Sequence, residues 1–183
     1  MIIALTGFMG CGKSSVAREL ARLLSCSYQN LSGYTCYDLD DMISSNTGKT
    51  IPDIFKEEGE KGFRQIEFQV LKEWLTNKKG DRIIALGGGT VTTPECRQIL
   101  KRNTRCIYLK AQTETLTRRL EKANDRPMLN TDIYGDSSTL HERIAKLMAA
   151  REAFYESAAD ITIEVDNLHP TEIAEEIIRS VLL

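Results

Sequence analysis

The sequence has no apolar run approaching the roughly 20 residues that a membrane-spanning helix needs. It also has no excess of positive charge, since its 183 residues carry a net charge of −2, which argues against nucleic acid or an anionic membrane surface as the main partner. No basic residue precedes the first apolar stretch, MIIALTGFMG, and this stretch continues into a glycine-rich loop. That pattern predicts a strand and not a signal peptide, so we expect a cytoplasmic protein.

Paired cysteines are missing as well. The chain has five cysteines, an odd number, and no CxxC pair. This spacing supports neither a disulfide framework nor a zinc site. We expect free thiols in a reducing compartment.

What the chain does contain is an alternation of strand and helix patterns, without repeats, low-complexity segments or a linker. Continuous apolar runs predict strands buried on both faces, at Ile2–Leu5, Cys36–Leu39, Arg82–Leu86, Cys106–Leu109 and Ile161–Val165. Helical spacing occurs at Ser14–Leu24, Glu60–Leu75, Leu140–Tyr155 and Thr171–Leu183. The alternation predicts one α/β domain over residues 1–183, with a parallel sheet covered on both faces.

Two segments between these patterns are rich in polar residues and turn formers. The first, Cys26–Thr35, is predicted to be a lengthened loop. The second, Ala123–Ser138, is long for a loop inside a compact domain, and a lid over an active site is a common reason for such a loop. A plain surface loop is the alternative.

The segment Gly7–Ser14, GFMGCGKS, fits the phosphate-binding pattern G-x-x-x-x-G-K-[ST] in full. A predicted strand precedes it and a predicted amphipathic helix follows it, as the pattern requires. Glycines let backbone N–H groups converge on phosphate oxygens, and the helix N-terminus adds its positive dipole end. Lys13 would then contact the β- and γ-phosphates of a nucleotide, and the Ser14 hydroxyl would hold Mg²⁺.

The third predicted strand lacks the acidic residue at its end that would ligate Mg²⁺ in a motor ATPase or GTPase, and runs instead into Gly87–Gly89. The candidate carboxylates are Asp38 and Asp40, which follow the second strand. One could support the metal through water while the other accepts a proton from an attacking hydroxyl. Alternatively, Asp40 or Asp41 is the N-cap of a following helix.

Three arginines are candidates for binding a small anionic substrate and the transferred phosphoryl group: Arg64, Arg126 and Arg151. Guanidinium groups match carboxylates and phosphates. Taken singly, each is more often a solvated surface charge. The Gly87–Gly89 run could let backbone N–H groups approach a ligand closely.

These residues together resemble the shikimate kinase family. The resemblance rests on GFMGCGKSS, DLDDMI, TGKTIPDIFKEEGEKGFRQIE, ALGGGTV, LTRRL, NDRPML and LMAAREAFY, which follow one another along nearly the whole chain. It implies a three-layer α/β/α P-loop kinase fold with a central five-stranded parallel sheet and a lid at about 123–138. It also implies transfer of a phosphoryl group from ATP to the 3-hydroxyl of shikimate, with Mg²⁺, by a monomer.

The resemblance implies roles for individual residues. Asp40 would bind the substrate hydroxyls and act as the base, Asp38 would support Mg²⁺ beside Ser14, and Glu67 would support a substrate-binding arginine. Phe55 and Phe63 would line the substrate pocket. The shikimate-binding set would be Asp40, Arg64, Gly87, Gly88, Gly89 and Arg151. The ATP-binding set would be Gly10, Cys11, Gly12, Lys13, Ser14, Ser15, Arg119 and Arg126, with Arg119 along the adenine, and the catalytic set Lys13, Asp40 and Arg126.

The chain departs from the family pattern in the longer Cys26–Thr35 segment, in the long stretch between Arg126 and Arg151, and near His169, where an arginine beside the adenine is missing. Another small-molecule kinase, for gluconate or a nucleoside monophosphate, is the nearest alternative. A slow nucleotide switch would be expected to carry an Asn-Lys-x-Asp motif, which is absent. An inactive interaction protein is disfavoured by the intact Lys13, Ser14, Asp38, Asp40 and Arg126.

Overall fold

The computed structural model of the chain describes residues 1–27, 33–76, 80–121 and 139–182. The five predicted strands are confirmed to within a residue or two at each end. They are β1 Ile2–Thr6, β2 Thr35–Asp38, β3 Arg82–Ala85, β4 Arg105–Lys110 and β5 Ile161–Glu164. Both faces of β1 are buried, as its continuous apolar run predicts.

All five strands are parallel and form one sheet in the order β2-β3-β1-β4-β5. The chain begins in the middle strand, crosses to one edge at β2, returns through β3 and then builds the other half. Parallel neighbours require crossover connections, which the helices supply. Because β1 and β3 are adjacent and parallel, the loops after them lie at the same edge of the sheet.

Seven helices cover this sheet within the described residues. They are α1 Lys13–Ser27, α2 Leu39–Thr47, α3 Ile51–Thr76, α4 Pro94–Asn103, α5 Thr113–Leu120, α6 Leu140–Ala158 and α7 Pro170–Leu182. α1 packs on α7, while α4 packs on α3 and α6, and α5 packs on α6. The result is the predicted three-layer arrangement, with a core of buried aliphatic residues from the sheet and the inner helix faces.

The sequence patterns missed α4 and α5 and shortened α3. α4 and α5 are short, and each has only two buried hydrophobic residues, Cys96 and Leu100 in α4 and Leu116 and Leu120 in α5, so too few apolar positions recur for the pattern to be recognised. α3 begins nine residues before the predicted Glu60, because Gly59, at φ 68°, joins two helical segments across a kink. The first segment presents Ile54 to the core.

None of the helices within the described ranges combines the length and the apolar character that crossing a bilayer would require. Four cysteines, at positions 11, 36, 96 and 106, have free thiols. Half of the predicted Cys26–Thr35 loop, residues 28–32, and all of the predicted lid at 123–138 lie outside the described residues. The ends of that loop were predicted wrongly, since Cys26 and Ser27 belong to α1 and Thr35 to β2.

Candidate active site

The P-loop joins the end of β1 to the start of α1. Gly7 has φ 141°, and a Cβ atom there would lie 2.6 Å from Leu109 O on the neighbouring strand. The turn therefore requires glycine at this point, both for its dihedral angle and for the close approach of β4. The turn is followed directly by the N-terminus of α1, which begins at Lys13 and is a favourable position for an anion.

Two cationic side chains contact the backbone of this loop. Lys13 Nζ donates to Gly7 O at 2.8 Å and to Phe8 O at 3.0 Å. Arg119 Nη1, on α5, donates to Gly10 O at 3.3 Å and to Cys11 O at 3.1 Å. Positive charge therefore surrounds a loop whose N–H groups already favour an anion.

The side chain of Cys11 is buried beneath the loop at 1% exposure, and Lys13 Nζ lies 3.8 Å from its sulfur. Of this residue, only the backbone can face a bound phosphate. Ser15 is exposed on the first turn of α1 and lines the cavity above the loop.

The two carboxylates after β2 have different positions. Asp38 Oδ2 accepts a hydrogen bond from Ser14 Oγ at 2.6 Å, and Asp38 Oδ1 accepts one from the Asp40 backbone N–H at 3.0 Å. Asp38 is therefore the N-cap of α2, and the prediction that Asp40 or Asp41 caps this helix is wrong. The first helical residue is Leu39, so Asp40 already lies in the first turn and projects toward Gly87.

A second cationic group lies on α3. Arg64 Nη1 donates to Glu67 Oε2 at 2.7 Å, and Arg64 Nη2 to Glu60 Oε1 at 3.4 Å. Burial acts to lower the pKa of Arg64, but the negative charges and hydrogen bonds of Glu67 and Glu60 outweigh it and hold that pKa above its ordinary value. The Glu67 side chain is fully buried, so it is an internal counter-ion to the guanidinium.

The three glycines after β3 lie against this arginine and against α6. A Cβ atom on Gly89 would collide with Arg64 Nη2. Gly88 O accepts a hydrogen bond from Tyr155 Oη at 2.5 Å and one from Arg151 Nη1 at 3.5 Å. Burial raises the pKa of Tyr155, so its hydroxyl stays protonated and remains a donor.

Arg151 is 7% exposed, and within the described parts of the chain it forms no ion pair with a carboxylate. A buried guanidinium without a counter-ion is costly unless a ligand supplies the negative charge. Arg151 therefore indicates a place for an anionic group.

These residues line two adjoining cavities. We name one the P-loop cavity, lined by Met9, Gly10, Gly12, Lys13, Ser14, Ser15, Asp38, Asp40, Leu86, Gly87 and Gly88. We name the other the arginine cavity, lined by Met9, Asp40, Ile51, Phe55, Phe63, Arg64, Glu67, Gly87, Gly88, Gly89 and Arg151. Both contain Met9, Asp40, Gly87 and Gly88, so a group bound in one would meet a group bound in the other at Asp40.

The structure thus brings together every sequence-predicted site residue that it describes. Arg126, predicted to be the lid arginine, lies outside the described residues. Arg119 lies beside the P-loop backbone, and its predicted contact with adenine stays a prediction.

Four lining or supporting residues of these cavities were not predicted: Met9, Ile51, Leu86 and Tyr155. Tyr155 lies four residues after Arg151, on the same face of α6, and this spacing was the signal that could have identified it.

A sequence model of the shikimate kinase family matches residues 9–182, which include both cavities. The chain belongs to the shikimate kinase family. It is 38% identical over 182 residues to the shikimate kinase of Chlorobium phaeobacteroides, an alignment that spans 98% of this chain and 90% of that protein. Members of this family are ATP-dependent kinases with an alcohol group as acceptor.

Solved structures of shikimate kinases share the fold described above. The enzyme of Acinetobacter baumannii in complex with shikimate superposes with a TM-score of 0.85 and 32% identity, covering 99% of this chain and 92% of that one. The enzyme of Aquifex aeolicus superposes with a TM-score of 0.78 and 31% identity, covering 99% and 96%. The P-loop kinase fold predicted from the motifs is therefore confirmed.

Proposed function

We propose that the protein transfers the γ-phosphoryl group of ATP to the 3-hydroxyl of shikimate, giving shikimate 3-phosphate and ADP, a step of aromatic amino-acid biosynthesis. The observation that carries this proposal is the junction of the two cavities at Asp40. A phosphate-binding loop forms one side of the junction, and a small pocket with two arginines forms the other. Membership of the shikimate kinase family supports the choice of acceptor.

The arginine cavity suits a small ring compound that carries one carboxylate and several hydroxyls. Arg151, buried without a counter-ion in the described chain, and Arg64 would bind the carboxylate. The rings of Phe55 and Phe63, whose centroids are 4.5 Å apart, would pack against the apolar parts of the substrate. The glycine backbone from Gly87 to Gly89, which also lines this cavity, would contact the ligand.

The P-loop cavity would bind the phosphates of ATP. Lys13 Nζ would exchange its contacts with Gly7 O and Phe8 O for oxygens of the β- and γ-phosphates. The backbone N–H groups of Gly10–Ser15 would bind the remaining phosphate oxygens. Arg119 would hold the loop from the α5 side through its contacts with Gly10 O and Cys11 O.

The residues beside the loop fit a magnesium ion. Ser14 Oγ and Asp38 Oδ2 are 2.6 Å apart, and hydroxyl and carboxylate oxygens are ligands that Mg²⁺ accepts. The described residues contain no cluster of three metal-binding side chains, so phosphate oxygens and water would complete the coordination. When held by Ser14 and Asp38, the ion would offset negative charge on the phosphates.

Asp40 would perform the proton transfer. Its carboxylate lines both cavities, so it can orient the acceptor hydroxyl toward the γ-phosphoryl group and accept the proton as the new bond forms. The transfer is direct and in line, with no covalent enzyme intermediate. Catalysis comes from positioning and from charge stabilisation by Lys13.

Four further elements of the proposal come from the sequence alone. Arg126 would contact the transferred phosphoryl group from a lid at 123–138, and closure of that lid would exclude water as a competing acceptor. The protein would be a monomer, a single domain and cytoplasmic.

The decisive experiment measures ADP production from ATP and Mg²⁺ with shikimate, gluconate, AMP or no acceptor. We expect strong stimulation by shikimate alone, and loss of that stimulation when EDTA removes the metal. Stimulation by another acceptor, with none by shikimate, would leave a P-loop kinase in place and overturn the roles proposed for Arg64 and Arg151.

A further inference from the structure

The buried carboxylate of Glu67 has two hydrogen-bond donors, one for each oxygen. Oε2 accepts from Arg64 Nη1 at 2.7 Å, and Oε1 accepts from Thr90 Oγ1 at 2.6 Å. Neither Glu67 nor Thr90 has any exposed side-chain surface, so water does not compete for these bonds. The contact joins α3 to the turn after the three glycines.

Thr90 is held rigidly in the position from which it donates. It begins the short 3₁₀ helix Thr90–Thr92, and its backbone N–H donates to Gly87 O at 3.2 Å. A Cβ atom on Gly87 would lie 3.0 Å from both Thr90 Oγ1 and Glu67 Oε1, so the backbone at Gly87 packs directly against this hydrogen bond. The hydroxyl group of Thr90 therefore acts as the hydrogen-bond donor to Glu67 Oε1.

The threonine contact determines how Arg64 can pair with Glu67. A carboxylate with both oxygens free accepts two parallel hydrogen bonds from a guanidinium. Here the hydrogen bond from Thr90 to Oε1 fixes the orientation of the carboxylate, and Arg64 reaches Glu67 through Nη1 alone. The Nε atom of Arg64 has no hydrogen-bond partner among the described residues. In the wall of the arginine cavity, the guanidinium is therefore held by one short bond, from Nη1 to Glu67, and by the longer contact of Nη2 with Glu60 Oε1 at 3.4 Å.

We propose that Thr90 is a positioning residue for substrate binding, because its hydroxyl fixes the Glu67 carboxylate in an orientation that pairs with Arg64 through one oxygen only. Without the hydroxyl, Glu67 would turn to take a second bond from Arg64 and draw the guanidinium away from the cavity. The carboxylate of the acceptor would lose Arg64, one of its two proposed partners, and would keep Arg151. This inference rests on the proposed function, since it assigns Arg64 to the shikimate carboxylate.

The test is Thr90→Val, which keeps the shape of the side chain and removes the hydroxyl. We expect KM for shikimate to rise about tenfold, the size of one lost charge-assisted hydrogen bond. We expect kcat at saturating shikimate and KM for ATP to stay close to their original values, because the lost interaction contributes equally to substrate and transition-state binding. Shikimate affinity measured by calorimetry should fall by the same factor.

Two variants separate positioning from simple support of the fold. Thr90→Ser keeps the hydroxyl, and we expect it to restore KM for shikimate. Thr104→Val removes a hydroxyl that donates to Leu100 O at the end of α4, at the opposite edge of the sheet. It should lower the melting temperature without changing KM. If Thr90→Val does not fold, Thr90→Ala carries the same expectation.

The proposal is overturned if Thr90→Val leaves KM for shikimate unchanged, or if Thr90→Ser raises it as much as Thr90→Val does. A fall in kcat with unchanged KM also overturns it. The wild-type assay distinguishes failure of the proposed function, since a wild-type protein that shikimate does not stimulate removes both proposals together.

Discussion

The two cavities of this protein are built in opposite ways. The P-loop cavity owes most of its wall to consecutive residues between Met9 and Ser15, which one turn and one helix N-terminus hold in place. The arginine cavity is assembled from Met9 of the P-loop, α2, α3, the glycine turn after β3, and α6. A motif can therefore identify the first cavity, whereas the second exists only once the sheet has brought five separate segments together.

This difference predicts how variants behave. Changes in the P-loop cavity should weaken nucleotide binding and leave the affinity for the acceptor unchanged. Changes in any segment of the arginine cavity should share one phenotype, weaker binding of the acceptor. Asp40, Met9, Gly87 and Gly88 belong to both cavities, so a change there tests whether the two meet where the phosphoryl group is transferred.

The largest effect is expected for Asp40→Asn. Without a base at the junction, kcat should fall by roughly 10²- to 10⁴-fold, while nucleotide affinity stays nearly unchanged. Steady-state kinetics and nucleotide titration measure the two quantities. Asp41→Asn, at an exposed neighbour on α2 that lines neither cavity, is the matched control and should leave both unchanged. An equal loss of nucleotide binding in Asp40→Asn would contradict the assignment.

A smaller but selective effect is expected for Gly89→Ala. Gly89 has φ −120°, which alanine adopts freely, so the added Cβ acts only by its contact with Arg64 Nη2. Displacing the guanidinium should raise KM for shikimate by roughly 10- to 100-fold, with KM for ATP unchanged.

The control for Gly89→Ala is Gly48→Ala, at a glycine with φ 67° and open space around the added Cβ. That variant should lose roughly 1 to 2 kcal/mol of stability, measured by denaturant unfolding, and keep KM for shikimate. If both variants raised KM, the effect of Gly89→Ala would come from general destabilisation and the comparison of the cavities would fail.

The smallest effect is expected for Arg119→Met. Removing the donor to Gly10 O and Cys11 O should loosen the P-loop and raise KM for ATP by roughly fivefold. KM for shikimate should not change. Arg118→Met, at the exposed preceding residue, should be silent in both assays. A rise in KM for shikimate in Arg119→Met would show that the two cavities are coupled through α5.

The strands were predictable because each is a continuous apolar run, which a parallel sheet buried on both faces demands. The polar helices α4 and α5 were not, because few of their residues reach the core and a short pattern carries little periodicity. The cap of α2 was assigned to the wrong residue for a related reason. Asp38 is the cap of α2 and also accepts a hydrogen bond from Ser14, a residue of a different segment, so the local pattern alone does not identify it.

The residues of the candidate site also differ in whether the local sequence could predict their role. Lys13 and Ser14 could be placed from the motif alone, since a strand, a glycine turn and a helix N-terminus specify their surroundings locally. From the sequence, Arg64 and Arg151, taken singly, could not be distinguished from solvated surface arginines. Their burial, the counter-ion Glu67 and the absence of an ion pair for Arg151 among the described residues become visible only in the folded chain.

The sequence by itself determined a parallel α/β protein with a nucleotide loop, and the order of its motifs indicated the family. Apolar runs and glycine turns act over a few neighbouring residues, so they can be recognised without the fold. Only the tertiary structure decided that Asp40 stands between two cavities and that Thr90 completes the hydrogen bonding of Glu67. Those arrangements depend on which strands are neighbours in the sheet, and that order is a property of the whole packed chain.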